Sequence, residues 1–448
     1  MVDQLTGIFD WLSGILWGLP LLVLLIGTHL YLTVRLGFIQ RYLVPAIKLT
    51  FQPAGKAEGD VSHFGALMTA LAATVGAGNI VGVAVAIGVG GPGAVLWMWL
   101  TGVFGMATKY AEGFLAVKYR VRNDRGEMSG GPMFVLEHGL KMKWLGVIFA
   151  VFTAIAAFGI GNMFQAKAVA QQLVEVFPHF DATTLKMIVG IVLAVSTGAV
   201  LLGGIKWISR FCSVLVPFMV IAYVLGCTII LGIHFAEIPA AIGLIVSDAF
   251  SGTALAGGAI GAVIQAGVKR GLFSNESGLG SAPIAAAAAK TKNPAQQALV
   301  SMTGTFWDTV VVCAFTGLVL VVTGSWESGE KGAAMTHRAF ESIPIFGQPI
   351  LTLGLVTFVY STLIGWSYYG EKAIEYLGGT KLIPAYRWLW VIAIYFGATS
   401  PSSLVINFAD SANALMAVPN LISLLALSAL LARESKKQLD DPLTFQRG

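Results

Sequence analysis

The chain is a succession of long apolar runs separated by short polar links. A membrane span needs about 20 mostly apolar residues. Eleven stretches qualify, at roughly 15–36, 64–89, 93–118, 144–177, 183–203, 209–233, 252–290, 297–323, 347–376, 384–400 and 402–432. The pattern predicts an all-α polytopic membrane protein with eleven transmembrane helices. Residues 40–52, 129–140 and 239–250 are too short or too polar to cross and read as interfacial helices or re-entrant loops. Two spans are interrupted by polar, glycine-rich sequence. Ala73-Thr74-Val75-Gly76-Ala77-Gly78-Asn79 breaks the second span, and Gly271-Leu272-Phe273-Ser274-Asn275-Glu276-Ser277-Gly278-Leu279-Gly280 breaks the seventh. In lipid every backbone polar group must be satisfied internally, so a helix breaks at mid-membrane only where it lines a cavity. Two broken helices in corresponding halves of a chain point to a secondary transporter.

The links alternate in basic content. Arg35, Arg41, Lys48 and Lys56 follow the first span; Lys118, Arg120, Arg122, Arg125, Lys141 and Lys143 the third; Lys206 and Arg210 the fifth; Lys290 and Lys292 the seventh. Lys372, Lys381 and Arg387 surround the ninth-to-tenth link, and Arg433, Lys436 and Lys437 follow the last span, whereas the other links hold almost no Lys or Arg. The positive-inside rule then places the N-terminus outside and the C-terminus in the cytoplasm of a multi-pass cell-membrane protein. Met128-Ser129-Gly130-Gly131-Pro132-Met133 falls in a cytoplasmic loop. With the first span set aside, ten remain, five and five. The broken helix of the first set enters from the cytoplasm and that of the second from outside, which is an inverted-topology repeat. The expected division is 1–60, extra N-terminal helix and linker; 61–235, first repeat, broken at 75–79; 236–432, second repeat, broken at 271–280; and 433–448, a polar cytoplasmic tail.

Composition narrows the class. The chain is 56% hydrophobic and only 11% charged, against roughly 25% charged in soluble proteins. The 53 glycines suit close helix packing as well as broken helices. The net charge of +5 is spread over span-flanking links and forms no patch for nucleic acid. Cys212, Cys227 and Cys313 sit inside apolar segments and read as small packing residues without a disulfide. The start, Met-Val-Asp-Gln-Leu, lacks the basic region of a cleaved signal peptide. The six histidines are scattered, and no catalytic carboxylate pair or Ser/His set lies near the breaks. An enzyme and a resident cofactor are therefore not expected.

The breaks carry the chemistry. Gly76 and Gly78 let the backbone leave helical geometry at little steric cost. The amides of Ala77 and Gly78 would open the outer half-helix, a helix N-terminus suited to a carboxylate. The carbonyls of Ala72, Thr74 and Val75 would close the inner half-helix and suit an alkali cation or an ammonium group. One break thus offers complementary ends to a zwitterion. At the second break, Phe273 would cap a small apolar pocket while Ser274 and Asn275 supply neutral oxygen. Phe164, Gln165 and Trp366 lie mid-span, and Gln165 is a costly residue there. Ser361 and Thr362 either complete a sodium site or bond back to their own helix. Charges inside spans are functional hypotheses: Glu276, Asp308 and Asp410. Lys109 and Glu112, three apart, read as a simple pair; Lys269 and Arg270 fall awkwardly deep.

Gly91-Pro92-Gly93-Ala94 leading into Trp97-Met98-Trp99, and Gly271-Leu272-Phe273-Ser274-Asn275-Glu276 leading into Gly280-Ser281-Ala282-Pro283, resemble the alanine or glycine:cation symporter family over essentially the whole chain. Val75-Gly76-Ala77-Gly78-Asn79 also resembles the first core helix of sodium:neurotransmitter symporters. These resemblances imply a leucine-transporter-type fold, one extra N-terminal helix on a 5+5 core, and sodium-coupled, in some members proton-coupled, transport of alanine or glycine. They imply that the amides of Ala77 and Gly78 hold the substrate carboxylate. The Thr74 carbonyl, with Phe273 and Ser274, would hold the amine. Ala72 and Val75 carbonyls, with Ser361 and Thr362, would hold sodium, and Asn79 would orient the substrate. No tyrosine stands beside Gln165 to cap a carboxylate, which gives Gln165 part of that task. Phe164, Phe273 and Trp366 favour a small side chain. The expectation is a sodium-driven importer of a small neutral amino acid, for which a monomer suffices. Its alternatives are proton coupling, another small solute, or an ion channel.

Overall fold

Helix formation follows the apolar runs, and the ends are set by local capping chemistry. The computed structural model describes residues 2–53, 57–250, 259–291, 293–441 and 444–445, without the side chains of 2, 3, 259 and 260. The expected start of the seventh span at 252–258, Lys56 and Lys292 lie outside the described residues. In chain order the helices are α1 Val2–Leu16, α2 Leu19–Arg35, α3 Leu43–Thr50, α4 His63–Thr74, α5 Gly78–Gly90, α6 Ala94–Lys118, α7 Lys143–Val176, α8 Ala182–Leu201 and α9 Gly204–Ile233. There follow α10 Ile238–Ala249, α11 Ala259–Asn275, α12 Pro283–Ala286, α13 Pro294–Val322, α14 Ala333–Phe340, α15 Gly347–Gly378, α16 Ile383–Thr399, α17 Ser402–Ala426 and α18 Ser428–Leu439. Ser62, Asp181 and Asn293 cap α4, α8 and α13, each side chain accepting an orphan amide of the first turn. Gly379, at φ +79°, stops α15.

Among the described residues, seven helices are long and apolar enough to cross a membrane, and two bent pairs, α1 with α2 and α4 with α5, raise this to nine. The expected count of eleven is not reached by this measure. The two missing spans are α6, which carries Lys109 and Glu112, and the broken α11/α12, whose described helix Ala259–Asn275 is only 17 residues long. Both are buried in protein, so neither needs a lipid-like composition. The first span also differs from expectation. It does not begin near residue 15: α1 already runs from Val2 and meets α2 at 47°, with the chain turning at Trp17-Gly18 ahead of Pro20. At the other end, α18 carries Arg433, Lys436 and Lys437 across the expected boundary at 433.

Burial separates core from periphery. Of the apolar stretches of α17 and α15, 72% and 67% is covered by protein, against 33% for α8 and α9. Ile191, Val195, Val214 and Phe218 on the latter pair are exposed, the composition of a lipid-facing surface. The links read as basic meet at one end. Arg120 donates to the carbonyls of Ala287, Ala289 and Glu58, Lys118 pairs with Glu434, and Arg125 donates to Thr380 O. A short hairpin, β1 Val121–Arg122 and β2 Met128–Ser129, lies there too, and Lys372 joins it to α15 through Glu127 and Ser129. The three stretches expected not to cross form α3 with a preceding turn, a helical segment at 132–139, and α10. The three cysteines are buried and free.

Candidate functional site

The site is assembled where α4 gives way to α5. Helix α4 ends at Thr74, and Val75 turns extended, φ −78° and ψ 94°. In an unbroken helix the Gly76 and Ala77 amides would close onto the Ala72 and Ala73 carbonyls. Instead Gly76 N–H donates to Asn79 Oδ1 at 2.9 Å and Ala77 N–H to Gln165 Oε1 at 3.0 Å. Gln165 Nε2 in turn donates to Ile160 O at 2.9 Å, which fixes which end of the amide faces Ala77. Gly76 is required by close approach: a Cβ there would stand 2.5 Å from Thr362 Oγ1 and 3.0 Å from Gln165 Oε1. Gly365 serves the same approach of α15 to α4, because its Cβ would lie 2.7 Å from Ala73 N.

The second break differs from the expected 271–280. Helix α11 continues through Gly271, Phe273 and Ser274 to Asn275. The chain leaves helical geometry only at Glu276, φ 57°, and stays irregular through Gly278 and Gly280, φ 87° and 84°. Gly271 is a contact glycine, packed on Thr101 and Met98 of α6. What holds the break open is Glu112: its Oε1 accepts Gly278 N–H and Gly280 N–H at 3.0 Å each and Asn420 Nδ2 at 2.7 Å. Glu112 therefore does more than pair with Lys109, whose Nζ lies 3.9 Å from Oε2, beyond hydrogen-bond length. Glu276 accepts Trp366 Nε1–H at 2.9 Å and Ser281 Oγ–H at 2.5 Å.

The first break and the last turn of α11 meet around Asp308. Asn79 Nδ2 donates to Asp308 Oδ1 at 2.7 Å, and Ser274 and Thr309 hydroxyls donate to Oδ2 at 2.9 and 2.6 Å. Cys313 Sγ lies 3.3 Å from both Asn79 and Ser274. The Ser274 hydroxyl spends its proton on Asp308 and keeps its oxygen as an acceptor, whereas Asn275 Oδ1 accepts Ser277 N–H at 2.9 Å. Phe164 and Phe273 meet edge to face, centroids 5.1 Å apart. Trp366 is fully buried and packs on Gly161. Thr362 Oγ1 lies 2.9 Å from Phe358 O and 3.3 Å from Val75 O; Ser361 donates to Phe358 O at 2.8 Å. Both hydroxyls bond back to their own helix, and Thr362 also reaches the freed end of α4.

Asp308, Glu112, Asn420 and Cys313 belong to this constellation, and the sequence reading joined none of them to it. The signal available was the intramembrane charge of Asp308 and Glu112. A second signal was hidden: π-helical turns at Gly78–Gly82, Gly159–Met163 and Phe306–Cys313 all border the site. Such turns re-aim side chains and free carbonyls, but nothing in spacing announces them. Lys269 and Arg270 lie on α11 above the site, both ion-paired to Asp410 of α17; Arg270 is bidentate at 3.2 Å to each oxygen and Lys269 stands 2.8 Å away. Ser411 and Asn413 are not part of that latch: Ser411 donates to Phe9 O and Asn407 O.

The family model for the sodium:alanine symporter family matches residues 2–441. The chain is 53% identical over 435 residues to the sodium/alanine symporter AgcS of Methanococcus maripaludis, covering 95% of each. It is 34% identical to the probable sodium/glutamine symporter GlnT of Bacillus subtilis, covering all of this chain and 94% of that one. Among solved structures, the crystal structure of MhsT in complex with L-phenylalanine matches with TM-score 0.55 at 14% identity, over 84% of this chain and 99% of that chain. That likeness concerns the fold, which is of the leucine-transporter type.

Proposed function

The chain belongs to the sodium:alanine symporter family, and from that premise we propose that it imports alanine or glycine with sodium by alternating access. The carrying observation is the Ala77 amide, buried at a helix start and satisfied only by a side-chain oxygen, Gln165 Oε1. A substrate carboxylate takes that place, with the Gly78 amide beside it, and Gln165 turns to bond the bound carboxylate. The Thr74 and Phe273 carbonyls and the Ser274 hydroxyl receive the ammonium group. Asn79 and Asn275 shape the break around it, and Phe164, Phe273 and Trp366 leave space for hydrogen or methyl. Sodium takes the Ala72 and Val75 carbonyls with Ser361 and Thr362. The proximity of Thr362 Oγ1 to Val75 O, 3.3 Å, supports that assignment; hard oxygen donors suit the ion. In the eleven-span arrangement the basic end faces the cytoplasm and the N-terminus lies outside. The units are 1–60, 61–235, 236–432 and 433–448. The Arg270–Asp410 latch then closes the outer side.

Radiolabelled alanine uptake into proteoliposomes tests this, with and without an inward sodium gradient. Concentrative uptake that collapses without sodium is the expected result. Uptake that ignores sodium and follows a pH gradient would transfer coupling to protons; the buried Asp308, hydrogen-bonded to Asn79 at the first break and to Ser274 in the last turn of α11, favours that second reading. Glutamine uptake without alanine or glycine uptake would overturn the substrate assignment.

A further inference from the structure

Glu276 is an intramembrane carboxylate that the amino-acid and sodium assignments leave without a task. It stands at φ 57°, in the left-handed region that residues with a side chain rarely adopt. Backbone of this kind persists where its surroundings fix it, and it gathers at functional sites. The side chain is buried, and both oxygens are taken by neutral donors. Oε1 accepts the Trp366 indole N–H at 2.9 Å and Oε2 the Ser281 hydroxyl at 2.5 Å. Pairing with a cation is therefore not what the geometry serves; Lys109 has Glu112 for that. Glu276 instead ties the far side of the second break to α15.

Trp366 lies wholly inside the protein, and its one polar atom is a donor. The bond to Glu276 thus fixes the plane of the indole, and packing confines the rest. A Cβ at Gly161 would stand 2.2 Å from Trp366 Cβ and Cγ, and Tyr369 meets the indole edge to face at 5.3 Å. Trp366 follows Thr362 on α15 by about one helical turn, and Gly161 precedes Gln165 on α7 by about the same. Thr362 and Gln165 flank the first break. The indole is therefore the floor of the pocket, on the side where Lys372 joins α15 to the hairpin. We infer that Glu276 is a positioning residue: by holding the Trp366 indole it sets the depth of the pocket and so the largest side chain that the carrier accepts. This rests on the symporter reading and names the residue that enforces its size limit. A substrate one methylene longer than alanine has to displace the indole, and the indole moves only by leaving Glu276.

Competition of 2-aminobutyrate against radiolabelled alanine uptake in proteoliposomes tests this. The readout is the ratio of the two half-saturating concentrations, which a merely less stable protein does not change. Wild type is expected to favour alanine about tenfold, the usual worth of one methylene in a closed pocket. Glu276→Ala frees the indole and should bring the ratio close to one. Glu276→Gln keeps an acceptor for the indole and can donate to the Ser281 oxygen, so it should retain the wild-type preference. Trp366→Phe removes the N–H; it should also erode the preference, and Glu276→Ala added to it should change the ratio no further. An unchanged ratio in an active Glu276→Ala would overturn the proposal. So would a Glu276→Gln as unselective as Glu276→Ala, which would assign the role to the negative charge. If Glu276→Ala does not fold, Glu276→Gln and Trp366→Phe decide, and a wild-type ratio in Trp366→Phe would overturn it. Wild type that carries neither alanine nor glycine would count against the substrate reading itself, before any variant is compared.

Discussion

At the scale of single residues, the site depends on atoms that have only one place to go. Gly76→Ala would put a Cβ 2.5 Å from Thr362 Oγ1, closer than real Cβ contacts allow. Thr362 would be pushed off Val75 O, and the expected outcome is loss of sodium-driven uptake in a protein that still folds, checked by uptake beside a melting curve. Thr362→Val keeps the shape and removes the oxygen. It should raise the half-saturating sodium concentration about tenfold, about 1.4 kcal/mol, while alanine affinity at saturating sodium stays near wild type; sodium titration of uptake measures it. The residue types at the first break were legible because an amide-rich, glycine-rich interruption has few uses in a membrane. The pairings were not. Asn79 and Ser274 converge on Asp308 from α5 and α11, far apart in the chain, and no spacing rule connects them.

At the scale of elements, the second break stands on a carboxylate from α6. Glu112→Ala would leave two backbone amides, the Asn420 amide and the Lys109 ammonium without their acceptor or counter-charge. Removing one member of a buried charge cluster costs about 3–5 kcal/mol, so a clear drop in melting temperature is expected. Glu112→Gln, which keeps an acceptor oxygen, should be much milder. A thiol-reactive fluorophore can follow the unfolding, since Cys212, Cys227 and Cys313 are all buried. This break shows why boundaries escaped the sequence. Gly271 reads as a helix breaker, yet it is a packing glycine against Thr101, and a glycine's use depends on its neighbour in space. The true break uses Gly278 and Gly280 at positive φ, and the same letters cannot tell the two uses apart.

At the scale of the whole molecule, α1 and α2 lie outside the expected repeat but are tied to the Arg270–Asp410 latch. Trp17 Nε1 donates to Asp410 O at 2.8 Å, Lys269 Nζ to Ser13 Oγ at 3.2 Å, and Gln265 Nε2 to Trp17 O at 3.0 Å. Trp17→Ala should loosen that latch and raise the rate at which an impermeant maleimide modifies Ala412→Cys, a buried position two residues along α17 from Asp410; an unchanged rate would mean that α1 does not hold the latch. Orientation is open to the same reagent. In intact cells it should label Glu330→Cys, while Lys437→Cys should react only after permeabilisation. By itself the sequence determined the class, the two broken helices, the alternation of the links and the family, because hydropathy, charge and backbone satisfaction act locally along a chain in lipid. Tertiary structure alone decided which buried polar groups meet. Glu112 reaches across to the second break, Asp410 gathers Lys269 and Arg270, and Lys109 is left facing a cavity. Those outcomes depend on distances between helices, and interhelical distance is not written in the order of residues along any one of them.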